Sequence, residues 1–87
     1  MKGAVYLYGG DDYLTNGSFE DLRRLGISPR EGMRLTFYDI DADELNRPTY
    51  LCREGILHFE ERTSTWFVQI DEETYRSVPK LETDDQI

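Results

Sequence analysis

The stretch from Gly55 to Asp71, GILHFEERTSTWFVQID, constrains the fold of this chain more than any other. Apolar and polar residues alternate on both sides of a short polar connector, and a period of two sends successive side chains to opposite faces of an extended strand. Two such runs joined by a few polar residues predict an antiparallel hairpin with a one-sided core. Leu57 and Phe59 on the first strand, and Trp66, Val68 and Ile70 on the second, face inward. Ile56, His58 and Phe67 then face outward.

Eighty-seven residues make one small domain, with a folded part over residues 1–80 and a frayed polar tail over 81–87. At this length only about 60 to 65% of the unfolded chain's surface can be buried, so there is room for one core and little else. Six Tyr, four Phe and one Trp mean that aromatic volume must fill much of it. Eighteen acidic residues against ten basic ones give a net charge of −8, which repels nucleic acid and anionic membranes and disfavours direct binding to either. The lone cysteine, Cys52, cannot form an internal disulfide, and small domains of oxidising compartments are normally stapled by several, so a cytoplasmic location is expected. The apolar run Ala4 to Tyr8 is too short for a signal-peptide core or a membrane span, and a soluble, unprocessed chain is expected.

Local signals place the remaining elements. Val5, Tyr6 and Tyr8 favour a strand over Ala4 to Tyr8, with a turn through Gly9, Gly10, Asp11 and Asp12 and a short return over Tyr13 to Thr15. Ser18 is a helix cap with Asp21 at the third helical position, and the helix runs from Phe19 to Leu25. Glu20 and Asp21 sit at its positive end, Arg23 and Arg24 near its negative end, and Gly26 stops it. Phe19, Leu22 and Leu25 share the face that docks. Met33 to Ile40 reads as a second strand with Met33, Leu35 and Phe37 on the core side and Arg34, Thr36 and Tyr38 on the other. Asp39 to Thr49 reads as a long acidic loop, Tyr50 to Cys52 as resumed extended structure, and Arg53 to Gly55 as a bend or bulge. Asp71 caps a single helical turn through Thr74, and Tyr75 to Val78 forms a last short strand ended by Pro79.

This order predicts a mainly β (α+β) fold of five to six short strands with one short helix. Over Glu31 to Val78 it resembles a small SH3-like barrel, with a long loop after an early strand and a brief helical turn before the last; a strongly bent antiparallel sheet is the open form of the same arrangement. The resemblance rests on element order and implies architecture alone.

Motifs that could carry chemistry fail on inspection. Asp39, Asp41 and Asp43 reproduce the first three ligand positions of an EF-hand loop, but Glu44 stands where the sharp turn needs glycine and Tyr50 where a bidentate glutamate is needed. The YGGDD run from Tyr8 to Asp12 is superficially similar to polymerase and diguanylate cyclase signatures, yet glycine and aspartate are ordinary hairpin-turn residues. One histidine and one cysteine cannot build a zinc site, and along one extended segment Cys52 and His58 stand about 20 Å apart, too far for a nucleophile and its base. No G-x-S-x-G turn and no phosphate-cradling glycine loop occurs. No cofactor and no catalytic group is expected. What remains is a surface: Tyr38, Ile56, His58 and Phe67 on the non-core face, with Asp39, Asp41, Asp43 and Glu44 in the acidic loop. Either the helix or the N-terminal strand covers these aromatics, or they stay open to a protein partner of basic character. The expected function is a noncatalytic protein–protein interaction module. The alternatives are an acidic regulator that occupies a nucleic-acid-binding surface of another protein, and a small enzyme completed only by a second chain.

Overall fold

A computed structural model describes residues 3–8 and 12–80 of the chain. They form β1 (Val5–Tyr6), α1 (Asn16–Leu25), β2 (Arg34–Ala42), β3 (Pro48–Glu60) and β4 (Thr65–Pro79). The strands make one mixed sheet in the order β1-β2-β3-β4, with β1 parallel to β2 and the other pairs antiparallel. The class is mainly β with one short helix.

The alternation of the hairpin is realised at Leu57 and Val68, whereas Phe59, expected to face inward, is 41% exposed and meets the Trp66 ring edge-on at 5.1 Å. Leu57 pairs with Val68, His58 with Phe67 and Phe59 with Trp66, and Leu57 and Val68 are buried. They join Val5, Leu7, Leu14, Leu22 and Phe37 in the larger core, with Trp66, Ile70, Met33 and Leu35 packed against it. Each fully buried aliphatic or aromatic side chain there contributes about 1.5–3 kcal/mol. Phe37 and Tyr38 are consecutive, so they enter opposite faces. Tyr38 joins Ala4, Tyr50 and Cys52 in a second cluster, where its ring meets those of Tyr6 and Tyr50 edge-on at 5.8 and 5.4 Å.

Several boundaries differ from the sequence expectation. The sheet has four strands among the described residues, not five or six, and it is not closed into an SH3-like barrel. Closure would join the two edges, and both are occupied otherwise: α1 flanks β1, and Asp12 to Leu14 runs beside β4. The expected return through Tyr13 is therefore an isolated bridge from Tyr13 to Phe67, held by Leu14 N–H to Trp66 O and Val68 N–H to Asp12 O. The glycine turn before it and the tail over 81–87 lie outside the described residues. The expected acidic loop is instead a hairpin. β2 runs on to Ala42, β3 begins at Pro48, and Asp43 holds the turn by accepting Leu45 N–H, Arg47 N–H and Arg47 Nε. Tyr50 to Cys52 and Ile56 to Glu60 belong to one continuous β3.

The helix starts earlier than expected, because Thr15 rather than Ser18 is the N-cap. Ser18 sits at the third helical position and accepts Thr15 N–H, a capping box shifted by three residues. Gly26 ends the helix as expected, in a left-handed conformation with φ 71°. The docked face also shifts: Ser18 and Leu22 are buried, while Phe19 is exposed.

The predicted helical turn after Asp71 is a wide bulge inside β4. Pairing passes from Glu54↔Asp71 to Cys52↔Arg76, so Arg53 alone faces residues 72–75. Asp71 still acts as a local cap, accepting Glu73 N–H at 3.2 Å, and Thr74 Oγ1 stitches the bulge by donating to Asp71 O and accepting Glu54 N–H. Acidic residues, the bulge and Pro79 blunt this part of the edge against further pairing.

Candidate functional surface

The sheet has two unlike faces. Leu14, Leu22, Leu25 and Ile27 all pack into the larger core, on the face that bears Phe37, Leu57 and Val68. The register puts Arg34, Ile56 and Gln69 in one row across the opposite face, Thr36, Glu54 and Asp71 in the next, and His58 beside Phe67 at the hairpin end. The bulge inserts an odd number of residues, so Arg76 points to the same face as Asp71.

Polar groups on this face are bound to one another. Thr36 Oγ1 donates to Glu54, Arg76 Nη2 donates to Glu54 Oε2 at 3.1 Å, and Arg34 stands 3.8 Å from Asp71. His58 Nδ1 lies 2.6 Å from Glu31 Oε2 and its Nε2 lies 2.9 Å from Gln69 Oε1. The Gln69 contact first, and then Glu31, raise the pKa of His58 above its ordinary value. Glu31 is held below the usual carboxylate range by the Phe59 N–H and by His58. The His58 and Phe67 rings lie 5.2 Å apart, and Tyr13 adds a third ring 6.3 Å beyond Phe67. A shallow depression of about 500 Å³ opens beside this row, lined by Arg34, Ile56 and Gln69 and walled by the bulge residues Asp71, Glu72 and Glu73.

The residues singled out in the sequence divide into three groups. Ile56, His58 and Phe67 come together on this face, each partly exposed. Tyr38 lies on the same face but is only 8% exposed, turned into the second cluster with its hydroxyl donating to Asp21 Oδ2. Burial, and next the Asp21 carboxylate, raise its pKa. The acids form the third group. Asp39 and Asp41 lie on β2, Asp43 is tied to Arg47, and Glu44 sits at the hairpin tip. That tip is separated from Ile56 by eight residues of β3, about 26 Å of strand. Glu31, Glu54, Glu72 and Glu73 rim the aromatic row in its place.

Cys52 is fully buried, and burial raises its thiol pKa. His58 is engaged elsewhere, so the two do not form a nucleophile and base. No group of three or more metal-ligating side chains occurs among the described residues.

Two features were not anticipated from sequence. Tyr13 extends the aromatic row because Asp12 to Leu14 crosses to β4, a tertiary contact without a local signal. Arg53 is 2% exposed on the core face, its Nη2 donating to Leu7 O at 2.7 Å and its Nη1 to Leu51 O at 3.1 Å, with Nε unpartnered. A signal for it existed: Arg53 shares inward parity with Gly55 and Leu57, and a charge at an inward position of a strand is unusual. No protein-family model matches the chain, and comparison with curated proteins and with solved structures finds no match.

Proposed function

We propose that this chain is a noncatalytic interaction domain that takes an extended, basic polypeptide segment across the sheet face bearing Ile56, His58 and Phe67. One observation carries the reading: the helix packs on the opposite face, leaving these three side chains partly exposed together inside a rim of carboxylates. The occupant is argued from charge. Glu31, Glu54, Asp71, Glu72 and Glu73 outnumber Arg34 and Arg76 around the row, so lysine or arginine side chains match the rim while an apolar residue rests on Phe67. A patch this small suits a transient contact, at or below about 1,200 Å² of total buried area. The buried, solitary Cys52 thiol suits a reducing cytoplasm.

The test is selection from a displayed library of random peptides on the immobilised domain, followed by calorimetry of the enriched peptides. Enrichment of Lys- and Arg-rich sequences is expected, with affinity falling at least about tenfold in Phe67→Ala and in Glu72→Lys/Glu73→Lys variants whose fold is verified by circular dichroism. Failure to enrich, or binding indifferent to both variants, overturns the proposal. If DNA or RNA competes for the selected peptides, the domain is instead an acidic occupant of nucleic-acid-binding surfaces.

A further inference from the structure

The outer edge of β1 is closed by side chains rather than by a strand. Leu7 N–H points inward and donates to Tyr38 O, so the N–H and C=O of Tyr6 point away from the sheet. Both are satisfied by α1. Tyr6 N–H donates to Asp21 Oδ2 at 3.0 Å, and Ser18 Oγ donates to Tyr6 O at 2.6 Å. The two helix residues are three apart, as neighbours on one helix face must be, and each is held in turn: Asp21 by Arg24 at 2.8 Å and by the Tyr38 hydroxyl, Ser18 by Thr15. Burial works to raise the Asp21 carboxyl, but hydrogen bonds from Arg24, Tyr6 N–H and Tyr38 outweigh it and hold the group below the usual carboxylate range. Helix and strand approach so closely that a Cβ on Gly17 would stand 3.1 Å from the Tyr6 ring.

We propose that α1 is an edge guard: Ser18 and Asp21 occupy the hydrogen-bonding positions that another strand would take beside β1, and removing them opens β1 to a second copy of this chain. The second copy follows from symmetry. Two identical open edges pair antiparallel about a two-fold axis, and centred on Tyr6 such a pair exchanges both N–H···O=C bonds between the two Tyr6 residues. Residues 3–8 carry no charged side chain, so this is a segment on which the net charge of −8 places no like charges opposite each other. Without the two side chains, the Tyr6 polar groups remain under the helix unsatisfied, which favours lifting a ten-residue helix that is marginal on its own.

The experiment measures molar mass by light scattering across a wide range of protein concentration, for wild type, Ser18→Ala/Asp21→Ala and Asp21→Asn, with Tyr6 amide exchange followed by NMR. The double variant is expected to shift with concentration toward twice the wild-type mass. At low concentration its Tyr6 amide exchanges at least about tenfold faster than in wild type, and protection returns as it associates. Asp21→Asn, which keeps an acceptor oxygen, is expected to retain the wild-type mass. A folded double variant with the wild-type mass throughout overturns the proposal. Should the double variant fail to fold, Ser18→Ala alone decides: association with rising concentration upholds the edge guard, and an unchanged mass refutes it.

Discussion

Gly55 is the position where addition of a single carbon tests the packing most sharply. It lies in β3 opposite Ile70, on the face that carries Phe37 and Val68. A Cβ built there stands 2.4 Å from Val68 Cγ1 and 3.2 Å from both Ile70 Cδ1 and Phe37 Cε2. Carbon atoms pack at about 3.5–4.0 Å, so the Val68 contact must open by more than about 1 Å. Val68 is 2% exposed and Phe37 fully buried, so neither can yield without moving its backbone or leaving its rotamer. Overpacking of this kind costs about 1–3 kcal/mol. Against it stands the lower entropy of an unfolded chain that has lost a glycine, worth about 0.4–1 kcal/mol. The clash wins, and Gly55→Ala is expected to lose about 1–2 kcal/mol net, which for a domain of this size lowers Tm by about 5–15 °C. Urea unfolding followed by Trp66 fluorescence measures the loss, with the m-value unchanged if the variant still unfolds in two states. Adding Val68→Ala should recover part of it, because the truncated side chain leaves room for the new methyl; the two changes must therefore couple favourably. A Gly55→Ala protein as stable as wild type, or additive behaviour in the double variant, refutes the packing described for this face.

Two further outcomes follow from charged groups. Replacing the buried Arg53 by Met keeps the volume but removes the donors to the Leu7 and Leu51 carbonyls, so it should lose about 1–3 kcal/mol, and Arg53→Ala, which adds a cavity to the same loss, should cost about 2–5 kcal/mol; a Met variant as stable as wild type by chemical denaturation shows that the guanidinium bonds contribute nothing net. The raised pKa of His58 means that the folded state holds its proton more tightly than the unfolded chain does, so its stabilising contribution is complete below the unfolded value of about 6.5 and is lost as pH rises through the folded value; stability should therefore fall as pH rises above about 6.5 in wild type more than in His58→Asn, and equal slopes in the two proteins sink the assignment.

How much of this was legible follows from which forces act locally. The faces of the hairpin are legible because a period of two needs no tertiary information: Leu57 and Val68 are buried and His58 and Phe67 lie opposite, although Phe59, on the inward parity, stands 41% exposed. Gly26 was legible as a stop because only a left-handed residue ends a helix that way. The helix start was not, since Thr15 and Ser18 are both good caps and the choice was made by Tyr6, whose carbonyl takes the Ser18 hydroxyl. The acidic stretch from Asp39 misled because composition suggested a loop, while pairing with Thr49 to Leu51 extends β2 through it. The bulge at residues 72–75 carries the sequence signal of a helical turn because Asp71 caps in either conformation. Parity along the strands is enough to put Ile56, His58 and Phe67 on one face, whereas the position of Tyr13 and the burial of Tyr38 depend on where distant segments come to rest.

One stripe of α1 accounts for much of the architecture. Ser18, Asp21, Leu22 and Leu25 follow one another at helical spacing, and the stripe mixes two functions: Leu22 and Leu25 enter the core, while Ser18 and Asp21 reach the backbone of β1. A purely apolar stripe would have covered the same face and left the Tyr6 N–H and C=O buried without partners. A purely polar one would have left Val5, Leu7 and Phe37 in water. Because the same helix does both, β1 can be a two-residue strand and still bound the sheet. The other edge is closed by Asp12 to Leu14 at one end and by the bulge and Pro79 at the other. With both edges blunted and one face covered, the proposed basic segment would meet side chains rather than free backbone, and on that proposal its specificity comes from the row of Ile56, His58 and Phe67 and the carboxylates around it.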